Sequence, residues 1–104
     1  MPGQPANPGT GLASDVEDEI KPPKMYRVLM HNDDYTTMEF VVAILVSVFG
    51  KSSEEAVDIM LNVHQRGAGV CGVYTANIAE TKIGTVHSRA KDHGFPLRCS
   101  MEPE

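Results

Sequence analysis

Residues 25–39 read Met25-Tyr26-Arg27-Val28-Leu29-Met30-His31-Asn32-Asp33-Asp34-Tyr35-Thr36-Thr37-Met38-Glu39. Tyr26, Val28 and Met30 alternate with Arg27, Leu29 and His31, the period of two that sends alternate side chains to opposite faces of a strand. Asn32-Asp33-Asp34 is a turn, because short polar side chains bond their own backbone there. Thr36 and Glu39 have the spacing of a capping box, with Thr36 as cap and Glu39 reaching back. Met38, Val41, Leu45, Val48 and Phe49 then recur at helical spacing, and Gly50 stops the helix. A strand that turns at once into a capped helix sets the chain on an α+β course.

The downstream sequence continues the pattern. Ser52-Ser53-Glu54-Glu55 is a second capping box. Ala56, Ile59, Met60 and Val63 form the apolar stripe of that helix, and Gly67 ends it. Val70 to Tyr74 is a short β-rich run. Ala79, Ile83, Val86 and Ala90 mark a third helix, stopped before Gly94 and Pro96. Leu97, Cys99 and Met101 alternate with Arg98, Ser100 and Glu102 as a last strand. The order β-α-α-β-α-β predicts a two-layer α+β sandwich of a three-stranded antiparallel sheet and three helices.

Residues 1–23 differ in kind. Met1 to Leu12 is rich in Gly and Pro, Asp15-Val16-Glu17-Asp18-Glu19 is acidic, and Pro22-Pro23 closes the segment. Such a stretch buries too little to offset its ordering entropy, so a flexible tail is expected, with one folded domain over residues 24–104. A chain of 104 residues builds one modest core. A formal charge of −5 argues against nucleic acid and anionic membrane as main partners. No apolar run is long enough to span a bilayer, and the start lacks a basic-then-apolar signal pattern. Cys71 and Cys99 have no redox or zinc spacing, so reduced buried thiols in a cytoplasmic protein are expected. No pattern calls for a cofactor, and nothing demands more than a monomer.

The chemistry concentrates in two places. Asn32, Asp33 and Asp34 gather acceptors just before a helix start. Met60, Val63 and His64 share one face of the second helix. Each has an ordinary reading: the acidic turn gains from its own backbone and the helix dipole, and a histidine on an apolar face often belongs to the core. Joined, they suit a ligand with a charged amine and an apolar side chain. A divalent ion on His31, Asp33, Asp34 and His64 is a further option, without the close His/Cys spacing of a zinc site. Acid–base work by His64 and Asp34 lacks a nucleophile motif beside it.

The pieces Pro22-Pro23-Lys24-Met25-Tyr26, Asn32-Asp33-Asp34-Tyr35-Thr36, Met38-Glu39-Phe40-Val41, Met60-Leu61-x-Val63-His64, Cys71-Gly72-Val73-Tyr74-Thr75, Ala79-Glu80-Thr81-Lys82 and Pro96-Leu97-x-Cys99 together resemble the ClpS adaptor family. The resemblance covers about residues 22–102. It implies a fold like the C-terminal domain of the ribosomal stalk protein. It also implies a non-catalytic adaptor in the bacterial cytoplasm. Such an adaptor binds proteins that begin with a destabilising Leu, Phe, Tyr or Trp and hands them to the N-terminal domain of the ClpA unfoldase, which feeds ClpP. Carried over, Asn32, Asp34 and His64 contact the substrate α-amino group and Asp33 adds negative potential. Met30, Thr36, Met38, Val41, Met60, Val63 and Leu97 line the pocket for the first side chain, with Met38 as gatekeeper. Lys82 is carried over to the unfoldase-facing surface. The sequence departs from the family at His31, where an apolar residue is usual, at Thr37, where Pro is common, and at Asn77, where Glu is frequent. The alternative is a stalk-like protein-interaction domain that reads no amine and has no reason to unite Asn32, Asp34 and His64.

Overall fold

The computed structural model describes residues 21–104. The expected flexible tail, residues 1–23, lies outside the described residues except for its last three, which are exposed and irregular. Strand β1 spans Met25–His31, helix α1 Met38–Ser47, helix α2 Ser53–Arg66, strand β2 Ala68–Thr75, helix α3 Ala76–Asp92 and strand β3 Arg98–Pro103. The sheet order is β2-β1-β3, with both pairings antiparallel. The first strand is therefore the middle one. Val28 and Met30 on β1, Cys71 on β2 and Cys99 on β3 are buried under the helices, while Arg27, Leu29 and His31 alternate to the other face. The core adds Ile44 and Leu45 from α1, Ala56 and Val63 from α2, and Ala79, Val86 and Ala90 from α3. The expected two-layer α+β sandwich is what forms.

One helix start differs from the expectation. The N-cap of α1 is Thr37, whose Oγ1 accepts from the Phe40 N–H at 3.1 Å. Thr36 is unavailable because Asp33 has taken it. Its N–H donates to Asp33 Oδ1 at 2.7 Å and its hydroxyl to Asp33 Oδ2 at 2.8 Å. Moving the cap by one places Phe40 at the third helical position, so Glu39 cannot close a box. The helix also ends early, at Ser47. Val48 caps it, Phe49 is buried in the following turn, and Gly50 takes φ 66°.

The second capping box forms as expected. The Ser52 N–H donates to Glu55 Oε1 at 3.0 Å, and the Glu55 N–H donates to Ser52 Oγ at 3.1 Å. Gly67 caps the other end of α2 at φ 88°, a conformation glycine adopts without steric cost. Strand β2 is longer than the apolar run predicted, and Cys71 is the extra residue of a bulge between the pairs Leu29↔Val70 and Val28↔Gly72. Both cysteines are buried and free. The hydrogen bond that Cys71 shares with Cys99, together with burial, holds its thiol well above the ordinary range. Helix α3 closes with a Schellman pair: Phe95 N–H to Ala90 O at 2.8 Å and Gly94 N–H to Lys91 O at 3.0 Å. This turn drives Phe95 back against Phe40, with ring centroids 5.0 Å apart.

Candidate functional site

A cavity of about 240 Å³ opens between the β1–α1 turn and α2. Asn32, Asp33, Asp34 and His64 supply its polar wall. Thr36, Met38, Val41, Met60 and Val63 supply the rest. Two segments far apart in sequence thus meet, and a backbone bond shows how. The Asn32 N–H donates to Gly67 O at 2.9 Å, fastening the turn to the C-terminus of α2, one helical turn from His64. Gly69 brings β2 equally close to the same helix. A Cβ there would lie 2.9 Å from Val63 Cγ2, so only glycine fits without a shift.

The turn is internally satisfied while its rim is not. Asp33 Oδ1 accepts from the N–H groups of Tyr35 at 2.8 Å and Thr36 at 2.7 Å. Partial burial pushes the Asp33 carboxyl up, but the hydrogen bonds from Thr36 and Tyr35 outweigh it and hold the group below its ordinary value. Its charge is therefore fixed at the back of the site. Among the described residues, the side chains of Asn32, Asp34 and His64 have no hydrogen-bond partner and are exposed. His64 is thus not a core histidine. No Lys or Arg lines the cavity. The wall offers acceptors and negative charge to an incoming donor, beside a floor of methyl and thioether groups.

Two of the expected pocket residues stand apart. Met30 is fully buried behind the site and lines neither cavity, because its place on the middle strand points it into the core. Leu97 lines a void of about 20 Å³ next door, shared with His31, Asn32, Asp33, Thr36, Val41 and Val63. The His31 ring is engaged: Nε2 lies 2.6 Å from Ser100 Oγ. Lys82, on α3, does not line the cavity. Its Nζ donates to Val48 O at 2.8 Å and sits 5.1 Å from the centroid of Tyr74. For the metal option on His31, Asp33, Asp34 and His64, the described residues hold no group of three or more His, Cys, Asp or Glu placed to hold an ion. Gly69 was not foreseen as a site-shaping residue. A lone glycine inside a strand pattern is the signal that marks it.

A family model described as "ATP-dependent Clp protease adaptor protein ClpS" matches residues 21–100. The ATP-dependent Clp protease adapter protein ClpS of Oleidesulfovibrio alaskensis is 63% identical over 87 residues, 84% of each chain. That of Nitratidesulfovibrio vulgaris strain DP4 is 59% identical over 102 residues, 98% of each chain. The solved structure of Agrobacterium tumefaciens ClpS2 bound to L-phenylalaninamide is 41% identical and superposes with a TM-score of 0.77, covering 80% of this chain and 100% of that one. With the matched region containing both walls of the cavity, the chain belongs to the ClpS family of Clp protease adaptors.

Proposed function

We propose that this chain is an N-degron adaptor that holds the first residue of a substrate protein in the 240 Å³ cavity and delivers it to the Clp protease. The observation that carries this reading is the unpartnered set Asn32, Asp34 and His64 beside an apolar floor. The volume is below the roughly 300–1,000 Å³ typical of drug-sized ligands, which suits one side chain plus an amine. The likeness to a ClpS2 bound to L-phenylalaninamide, an amino-acid amide with a free amine, supports the same use here.

The chemistry follows from the ligand. A chain start carries an amine with a pKa near 8, mostly charged at neutral pH. Asn32 Oδ1, an Asp34 carboxylate oxygen and a His64 ring nitrogen accept its three protons, while Asp33 adds negative potential. Each charge-assisted bond contributes roughly 1.5–3 kcal/mol, and burying a Leu or Phe side chain contributes roughly as much. Less an association cost of at least about 4 kcal/mol, these terms set a ceiling of about −8 kcal/mol, so binding no tighter than roughly micromolar. Thr36, Val41, Met60 and Val63 receive the side chain. Met38, half-exposed at the mouth, meets any branch at the substrate Cβ. Leu, Phe, Tyr and Trp, unbranched at Cβ, are the expected first residues.

Delivery goes to a ClpA-type unfoldase in the cytoplasm, and the chain acts as a monomer and without a cofactor. Lys82 contributes to that surface by holding α1 against α3 through its bond to Val48 O. The chain itself performs no chemistry. The deciding experiment is fluorescence anisotropy with a labelled peptide starting with Leu and its N-acetylated twin. Acetylation removes the charge and leaves the acceptors unpaired, a loss of at least about 100-fold. Equal affinity for the two peptides would sink the reading and favour a stalk-like surface that docks a protein helix.

A further inference from the structure

Strand β3 is an edge of the sheet, so every second backbone N–H along it points away from β1. Cys99 is such a residue. It stands opposite Met30 on β1, yet its N–H donates to His87 Nε2 on α3 at 3.0 Å. Cys99 is buried, so the imidazole satisfies a donor largely shut off from water. A ring nitrogen that accepts a hydrogen bond carries no proton, so His87 is neutral there and its proton sits on Nδ1.

The ring lies on a groove of about 780 Å³ at the C-terminal end of α3. Lys91 from α3 itself and Arg98 from β3 bring positive charge to it, and Tyr35 from the β1–α1 turn adds a hydroxyl. Among the described residues, no carboxylate lines it. His93 stacks on Phe95 and does not line the groove, while His31 and Asp33 line the neighbouring void instead. A second proton on His87 would remove the acceptor and place a cation among cations, so the ring would have to leave the Cys99 N–H.

The bond bears on Leu97. That residue lies two before Cys99, is 4% exposed, and forms the partition between the groove and the void of about 20 Å³. Thr36, Val41 and Val63 line both that void and the 240 Å³ cavity. On its N-terminal side Leu97 is held by the Schellman turn and by Phe95 against Phe40. On its C-terminal side it is held by the strand pairing that begins at His31↔Arg98 and by the His87 bond.

We propose that neutral His87 is a positioning residue for the first-residue cavity. It pins the start of β3, and with it Leu97 behind Thr36, Val41 and Val63, and protonation releases both. The assignment rests on the cavity being the seat of the first residue. His87 touches no substrate and acts only through Leu97.

Two measurements on the full chain test this. Histidine side chains ordinarily change charge between about pH 5 and 8, so each is made at about pH 7.5 and about pH 5. The first is hydrogen exchange of the Cys99 amide, corrected for the intrinsic effect of pH and referred to the amides of α2. In the unaltered chain its protection is expected to fall roughly tenfold or more at the lower pH. In His87→Gln, whose side-chain oxygen accepts without titrating, protection is expected to hold at both. The second is affinity for L-phenylalaninamide, compared between the two chains at each pH. His64 is present in both, so its own response cancels in the ratio. The chains are expected to agree within about twofold at the higher pH, and His87→Gln to bind at least roughly threefold more tightly at the lower. Protection that does not change with pH in the unaltered chain overturns the proposal, and so does an equal loss in His87→Gln. A Cys99 amide that opens while the affinity ratio stays at one confines His87 to the strand and overturns its positioning role. Failure of the unaltered chain to bind L-phenylalaninamide at either pH strikes the first-residue reading, and the positioning role with it.

Discussion

His64 is where the two readings of this molecule separate. It lies on the helix that also carries buried Val63, yet its own ring is exposed, and among the described residues it bonds nothing. A residue that supports no packing can be removed at little structural cost, usually within about 0.5 kcal/mol. Removing an acceptor of a charged amine costs roughly 1.5–3 kcal/mol of binding. His64→Ala is therefore expected to keep its melting temperature within a few degrees and to lose roughly 10- to 100-fold in affinity for a Leu-starting peptide. Thermal unfolding and anisotropy on the same sample check both halves. An unfolded variant returns His64 to the core, and unchanged affinity removes it from the amine contact.

At the scale of elements, the site depends on how tightly the β1–α1 turn, α2 and β2 are drawn together. Asp33 organises the turn through three hydrogen bonds from two residues. Because its folded pKa lies below the ordinary 3.8, it contributes stability that is fully present above that pH. The contribution fades as pH falls through the lower folded value. Asp33→Asn is expected to cost about 1 kcal/mol at neutral pH in urea unfolding, with the gap closing as pH falls below the ordinary carboxylate range. A gap independent of pH means the carboxylate charge is not what stabilises the turn. Gly69 does the corresponding work on the strand side. Gly69→Ala pushes on Val63 Cγ2, a methyl held in the core with 3% exposure, and is expected to cost about 1–3 kcal/mol. Shifting Val63 also narrows the cavity, so affinity for Leu-starting peptides falls with it. Adding Val63→Ala is expected to recover part of the stability through non-additivity of touching residues. Strict additivity in the same urea titrations would mean that the two residues do not press on each other.

Across the whole molecule, the legible features were those written in local periodicity. The alternation around Val28 and Met30, the box at Ser52 and Glu55, and the stops at Gly67 and Gly94 needed no tertiary information. Thr36 misled because Asp33, three residues back, competes for the same hydroxyl, a contest that spacing does not display. The depth of Met30 was hidden for another reason: it depends on β1 lying between β2 and β3, and strand order is not a local property. The groove at Phe95 and Arg98 arises where a helix end, a strand start and a distant turn converge, so no single segment announces it. All nine residues lining the cavity were nonetheless named from the sequence, because the resemblance carried across the spacing that periodicity could not bridge.

That division also bears on residues 1–20. Every residue of the core and of the cavity lies at Val28 or beyond, and the end of the sheet is closed by the Glu104 N–H donating to Met25 O at 2.9 Å. The segment holds Asp15, Glu17, Asp18 and Glu19 and no Lys or Arg, so removing it takes the formal charge from −5 to −1. Salt screens charge–charge interactions over about 8 Å at physiological ionic strength. Deleting residues 1–20 is therefore expected to leave Leu-peptide affinity within about twofold at that ionic strength. If the segment tethers the adaptor to its unfoldase, the same deletion slows degradation of a Leu-starting reporter by the Clp protease at saturating adaptor. Degradation at the full rate dismisses the tether. A drop in peptide affinity places part of the binding energy in the segment, and the cavity alone no longer accounts for recognition.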